Sequence, residues 1–137
     1  MSENALASKM KLKPGHRAAI IGAPDGYLKE LQPLPPGAAI VDKVTGQFDW
    51  IQVFVRTRVE AARQVPLAAK GLKPASLLWV SFPKASSGIQ TDLTRDRGWE
   101  TLKSLDLMWV NLISVNDIWS AFSLRPYKPG EKRRVWR

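Results

Sequence analysis

The sequence predicts one layered α/β domain, a mostly parallel sheet with helices on both faces and an antiparallel hairpin at its edge. Three observations carry this. Apolar strand-like runs alternate with helix-like stretches, three of those runs are entered through the same Leu-x-Pro punctuation, and the last apolar stretch divides into two runs around a short polar turn. Alternating strands and helices imply right-handed crossovers and parallel pairing, whereas a short Asn-Asp connection implies an antiparallel hairpin. At 137 residues the chain has the size of one domain with one core.

The punctuation reads Leu12-Lys-Pro-Gly-His-Arg-Ala-Ala-Ile-Ile, Leu34-Pro-Pro-Gly-Ala-Ala-Ile-Val and Leu72-Lys-Pro-Ala-Ser-Leu-Leu-Trp-Val. Proline fixes φ and turns the preceding residue away from helix, so each marks a stop followed by a strand. The strands that follow, Ala18 to Gly22, Ala38 to Val41 and Leu77 to Phe82, are apolar without clean alternation, which suits burial on both faces. A fourth, Phe48 to Val55, is rich in aromatic and β-branched residues and reads as central. Helices are expected over Asp25 to Leu31, Thr57 to Leu72 and Asp92 to Leu105. Pro66 should kink or split the second; Thr91 or Asp92 caps the third, whose Trp99, Leu102 and Leu105 share a face. The hairpin runs are Met108 to Val115 and Ile118 to Leu124.

Hydrophobic residues make up 45% and charged residues 24%, the balance of a chain that folds rather than a disordered or fibrous one. No apolar run is long enough to span a bilayer, and the N-terminus lacks the blocks of a secretory signal, so a cytoplasmic protein is expected. The absence of cysteine excludes disulfides, thiolate nucleophiles and cysteine metal sites. The net charge of +9 is concentrated at the ends: +2 in residues 1 to 16 and +4 in residues 126 to 137, against +3 in the much longer body. Residues 1 to 10 are read as a flexible N-terminus, 11 to 125 as the domain, and 126 to 137 as a mobile basic tail.

Several separated motifs carry a family resemblance. Ile20-Ile-Gly-Ala-Pro-Asp-Gly-Tyr27, Phe48-Asp-Trp-Ile-Gln-Val-Phe-Val-Arg-Thr-Arg58, Leu78-Trp-Val-Ser-Phe-Pro-Lys84, Ser86-Ser-Gly-Ile-Gln-Thr-Asp-Leu-Thr-Arg-Asp96 and Val115-Asn-Asp-Ile-Trp-Ser-Ala-Phe122 together resemble an uncharacterised bacterial domain family over roughly residues 10 to 126. The resemblance implies a shortened class I methyltransferase fold, a Rossmann-like three-layer sandwich, and implies no particular activity or cofactor.

In open α/β sheets ligands bind outside the carboxyl ends of the strands, which directs attention to four loops. Gly22-Ala-Pro-Asp25-Gly26 leads into a helix, yet its Gly-x-x-x-Gly spacing departs from dinucleotide and S-adenosylmethionine fingerprints, and Pro24 removes an amide. A structural strand-to-helix turn is the favoured explanation. Asp42 stands twenty positions after Gly22, where a carboxylate can meet a ribose hydroxyl, or simply face solvent before a turn. Arg56 and Arg58 flank Thr57 and could clamp an anion, or pair with Asp49, Glu60 or Asp92. The richest loop offers Lys84, Ser86, Ser87, Gly88 and Thr91 before a helix start, the ingredients of an anion cradle; its hydroxyls could as well satisfy its own amides, and it matches no Walker sequence.

Hydrolysis is poorly served, because His16 precedes the first strand and so lies opposite Ser86 and Ser87. No carboxylate cluster suggests a metal, and Asp92 and Asp96 read as partners of Arg95 and Arg97. Trp50, Trp79, Trp109, Trp119 and Trp99 are expected in the core, leaving Trp136 in Lys132-Arg-Arg-Val-Trp-Arg137. The expectation is a domain that binds a small anionic or nucleotide-like ligand through Asp25, Arg56, Arg58, Lys84, Ser86, Ser87, Gly88 and Thr91, with the cofactor, any enzymatic activity and the oligomeric state undetermined. Two other readings stand beside it: a methyltransferase-like fold without cofactor serving as a protein-interaction module, and non-specific nucleic-acid binding through the basic tail, which is not favoured.

Overall fold

A computed structural model describes residues 4–95 and 97–133. Its elements are α1 (Ala5–Lys9), β1 (Arg17–Ile21), α2 (Tyr27–Glu30), β2 (Ala39–Val41), β3 (Phe48–Phe54), α3 (Arg58–Ala69), β4 (Leu72–Pro83), a 3-10 turn (Ala85–Ser87), a 3-10 helix (Glu100–Leu105), β5 (Leu107–Ser114) and β6 (Trp119–Pro126). The strands form one six-stranded sheet in the order β2-β1-β3-β4-β6-β5. β2, β1, β3 and β4 run parallel, and β6 and β5 are antiparallel. This is the α/β sandwich with an antiparallel C-terminal hairpin that the sequence predicts.

Period-two alternation assigns the two sheet faces. Ala19, Ile51, Val53, Leu78, Val80 and Phe122 point toward α3 and the 3-10 helix, where Ala61, Val65, Trp99 and Leu102 meet them. Ala18, Ile20, Trp50, Phe54, Trp79 and Trp119 point toward α1 and α2, against Met10, Tyr27 and Leu31. Because both faces are covered, the central strands read as continuous apolar runs.

Residues 4 to 10, in the segment expected to be flexible, are structured together with Lys11 and Leu12. Asn4 caps α1, its Oδ1 accepting from the Ala7 amide at 2.9 Å. Ala7, Met10 and Leu12 are buried, and the Met10 carbonyl accepts the indole N–H groups of both Trp50 (2.8 Å) and Trp79 (2.9 Å). A five-residue helix has no stability of its own, so no local signal announces it; its order comes from these long-range partners. It ends in a Schellman turn, with Leu12 N–H bonded to the Ala7 carbonyl (3.0 Å) and Lys11 N–H to that of Ser8 (3.1 Å). The left-handed position that glycine usually fills is held by Lys11, at φ 61°.

Two helix expectations are corrected. α3 is not split at Pro66, which stands in its last turn and removes a single backbone bond while the buried Val65 and Ala68 hold the end against the sheet. Asp92 to Leu105 is not one helix; only Glu100–Leu105 is helical, as 3-10. Gly98 takes φ 102° directly before it, and a Cβ there would stand 2.4 Å from the Leu93 side chain, so the chain folds back where a helix would have run straight. Trp99 and Leu102 are nevertheless in the core. Trp109, expected inside, is 36% exposed on the edge strand β5.

From the expected tail, Glu131 forms a bidentate pair with Arg125 of β6 (2.9 and 2.7 Å), and Arg133 forms another with Asp106 (2.7 and 2.8 Å) while stacking on Tyr127. The described part of the tail is thereby tied to β6 and to the turn before β5. Trp136 and the rest of the terminal basic hexamer beyond Arg133 lie outside the described residues.

At the amino end of the strands Asp49 joins three of them. Its carboxylate accepts the Arg17 amide at 2.8 Å and the Lys73 ammonium, and these bonds, the lysine's foremost, hold its pKa below the ordinary carboxylate value. A depressed folded-state pKa stabilises above the unfolded value of about 4 and ceases to do so as pH falls through the folded value.

Two outcomes are expected. Asp49→Asn should lower the melting temperature at neutral pH, and the gap from wild type should close as pH is taken from 6 toward 2; a constant gap would show that the charge is not what matters. Lys11→Gly should raise stability by about 0.5–1 kcal/mol, because it removes left-handed strain and returns part of the gain to unfolded-chain entropy. Chemical denaturation of the two proteins side by side checks it.

Candidate functional site

The connection β1-α2-β2 crosses one face of the sheet and β3-α3-β4 crosses the other, so the chain diverges between β1 and β3. A crevice at the carboxyl ends of the strands is expected at such a divergence. Gly22 stands at it. Its φ is 73°, and a Cβ there would lie 3.1 Å from the Phe54 carbonyl oxygen at the end of β3, so both conformation and close approach require glycine. The loop continues through Asp25, which is exposed, to Gly26 at φ 81°. The following Tyr27 is fully buried; its hydroxyl donates to Gln52 Oε1 at 2.8 Å, and Gln52 Nε2 donates to Ser81 Oγ at 2.9 Å. Burial pushes the Tyr27 pKa far up, and it stays a neutral donor.

The loops after β3 and β4 meet one another. The Thr91 hydroxyl donates to the Arg56 carbonyl and accepts the Leu93 amide at 3.1 Å, while the Arg58 amide donates to Asp92 Oδ1 at 2.8 Å. Arg56, Arg58 and Thr91, anticipated as site residues, are therefore brought together. Their groups also have internal partners. Glu60 accepts from the Arg56 amide at 2.6 Å, the Arg56 guanidinium lies 5.1 Å over the Trp119 ring, and Arg58 Nε reaches the Asp92 carbonyl at 3.3 Å.

Lys84 has other partners. Its amide donates to the Ile118 carbonyl and its ammonium to Ser114 Oγ at 2.6 Å, tying the loop to the hairpin. Ser87 Oγ accepts the Ile89 amide at 3.1 Å, so Ser87 and Thr91 both serve amides of their own loop. Ser86 and Gly88 are exposed, and nothing lies within 4 Å of a Cβ at Gly88. His16 sits before β1, at the opposite end from Ser86 and Ser87. Its Nδ1 accepts the Lys13 amide at 3.1 Å, and burial lowers its pKa.

A cavity beside β1 lies elsewhere. A space of about 540 Å³ opens on the α3 face, running from Ile21 at the end of β1 and Asp42 to Val44 after β2 to Gly46 and Gln47 before β3, with Gln64, Leu67 and Lys70 on and after α3. It exists because only residues 42 to 47 join β2 to β3, leaving that corner of the sheet without a covering helix. Val41 and Leu67 remain 43% and 51% exposed there. Asp42, weighed from its spacing, lines this cavity; the eight residues anticipated for the site do not. Lys43, Gln64 and Lys70 carried no sequence signal, because each is an ordinary surface residue until the short connection exposes the corner. Among the described residues no three His, Asp or Glu gather in a group able to hold a metal, and no helix is long and apolar enough to cross a membrane.

No protein-family model matches the chain, and no curated protein matches it. Solved structures do. The chain is similar to the ribosomal protein L11 methylase of Lactobacillus delbrueckii subsp. bulgaricus, with TM-score 0.60 and 12% identity over 89% of this chain and 75% of that one. It is similar to the fibrillarin of Aeropyrum pernix, solved with natively bound S-adenosyl-L-methionine, with TM-score 0.61 and 13% identity over 88% and 73%. An O-methyltransferase family 2 protein of Planctomyces limnophilus DSM 3776 gives TM-score 0.54 and 15% identity over 83% of this chain, which spans 50% of that protein's length. At these identities the likeness establishes the methyltransferase-like Rossmann fold and nothing finer.

The divergence point yields a prediction. Gly22→Ala should destabilise by about 1–3 kcal/mol, through left-handed strain together with the close Phe54 carbonyl. Gly26→Ala, with the same backbone sign but open space around it, should cost about 1 kcal/mol. Equal losses in a denaturant titration would show that the approach to β3 is not tight.

Proposed function

We propose that this domain binds a small anionic or nucleotide-like ligand in the open corner beside β1. The observation that carries the reading is the cavity of about 540 Å³ on the α3 face there, within the size range of small-molecule sites. Asp42 supplies an acceptor for sugar hydroxyls, Lys43 and Lys70 supply positive charge, and Ile21, Val44 and Leu67 supply an apolar wall for a base. At the end of β3, Arg56, Arg58 and Thr91 form a second cluster of groups able to meet an anion. S-adenosylmethionine, held by the fibrillarin neighbour, belongs to the class to be tried. Asp42 suits its nucleoside, whereas Pro24 withholds an amide from the loop after β1. The reading is of binding; no step of a reaction is assigned.

The test is a thermal-shift panel of S-adenosylmethionine, its demethylated product, nicotinamide dinucleotides, mononucleotides and inorganic phosphate, since a ligand selective for the native state raises the melting temperature. At least one nucleotide-bearing compound should give a saturable shift. Asp42→Asn should remove that shift while leaving the unliganded melting temperature unchanged, because Asp42 is exposed. Loss of the shift in Arg56→Ala/Lys84→Ala instead would seat the ligand over β3 and β4. A flat response across the panel, or a shift that survives both sets of changes, overturns the proposal.

A further inference from the structure

A second cavity, of about 420 Å³, lies on the other face of the sheet at the amino ends of β1 and β2, between the α1 turn and the loop that enters β2. Its apolar surface comes from Ala7, Leu12 and Pro14 on one wall and from Pro33, Leu34 and Pro35 on the other. The walls are pinned at both ends. Asn4 Nδ2 donates to the Glu30 and Gln32 carbonyls (2.9 and 2.7 Å), and the Gly15 amide donates to the Pro36 carbonyl at 2.9 Å. Leu12 and Ala7 are themselves anchored in the core, so the notch is preformed rather than opened by an arriving ligand.

The charge on this notch has one sign. Lys11 and Lys13 line it, and among the described residues no aspartate or glutamate does. The nearby Glu30 turns its carboxylate to Asn116 Nδ2, 3.0 Å away. Lys11 also holds the left-handed backbone position that glycine would take without strain, so the turn presents a long cation where a side chain is not needed for its geometry.

From the apolar floor, the two lysines and the pinned walls, we infer that this notch binds a small amphiphilic anion, a single carboxylate or phosphate headgroup on a short apolar body. The headgroup lies between the Lys11 and Lys13 ammoniums and the body against Leu12, Leu34 and Pro35. This site lies on the opposite face of the sheet from the cavity beside β1 and shares no lining residue with it, and neither depends on the other.

The experiment titrates the full chain with octanoate, octyl phosphate, octanol and inorganic phosphate, following melting temperature and tryptophan fluorescence. The fluorescence is informative because Trp50 and Trp79 donate to the Met10 carbonyl, next in sequence to Lys11. Octanoate and octyl phosphate should bind at least about tenfold more tightly than octanol or phosphate alone, and the advantage should fall with added salt. Lys11→Gly/Lys13→Ala should keep the fold, by circular dichroism, and lose that advantage; Lys13→Ala alone should lose part of it. Leu34→Gln should weaken both amphiphiles and leave phosphate unaffected. Octanol binding as well as octanoate would overturn the proposal, as would octanoate binding unchanged in the double variant. So would displacement of octanoate by an acidic peptide that binds more tightly, since the notch would then serve a protein partner.

Discussion

The fold turns on one carbonyl. β3 and β4 each place a tryptophan on the same face of the sheet, and a buried indole N–H without an acceptor costs on the order of 1–3 kcal/mol. The Met10 carbonyl accepts both, from a segment that is neither strand nor long helix. Met10 therefore fixes where the N-terminal segment crosses the sheet, and with it the burial of Ala7 and Leu12 and the approach of α1 to the loop before β2. The same face holds the Tyr27, Gln52 and Ser81 chain, which joins α2, β3 and β4 by side-chain hydrogen bonds. Among the described residues no buried side-chain polar atom is left without a partner, so this polar stratum specifies one arrangement instead of weakening the core.

The strands were legible because their determinants are local. Leu-x-Pro entrances locate β1 and β2; the third, Leu72-Lys-Pro, lies inside β4 rather than before it, and there the apolar run Leu77 to Phe82 was the guide. The Asn116 turn between β5 and β6 is a side-chain device, with Oδ1 accepting the Ile118 and Trp119 amides at 2.9 Å each. What escaped reading was set by distance in sequence. α1 owes its order to residues forty and sixty-nine positions away. The Trp99 and Leu102 pair was rightly expected inside, but its spacing fits a 3-10 turn as well as an α-helix, and Gly98 decides for the former.

The anticipated site was legible only in part, for a similar reason. Residue type marks Arg56, Arg58 and Thr91 as able to hold an anion, and the structure does bring them together; it also supplies the partners that a sequence leaves open, Glu60, Asp92 and Trp119. Spacing alone found Asp42. Nothing local could show that Lys43, Gln64 and Lys70 would share a cavity with it, because that cavity is defined by a crossover too short to contain a helix.

That short crossover has an energetic consequence. In a sheet covered on both faces, the side chains of β1 and β2 that face α3 would be core, yet here Ala39 and Val41 are exposed and Ile21 is only half covered. The uncovered corner is small, so the cost is confined to a few side chains, and α3 itself is held by Val65 and Ala68 against Ile51 and Val53 farther along the sheet. The domain can therefore leave its β1 corner open without loosening its core. An apolar surface kept in water beside a carboxylate and two ammoniums gains free energy whenever a ligand of matching polarity covers it. A ligand bound at this corner would draw on the same burial term that a missing helix would otherwise have supplied.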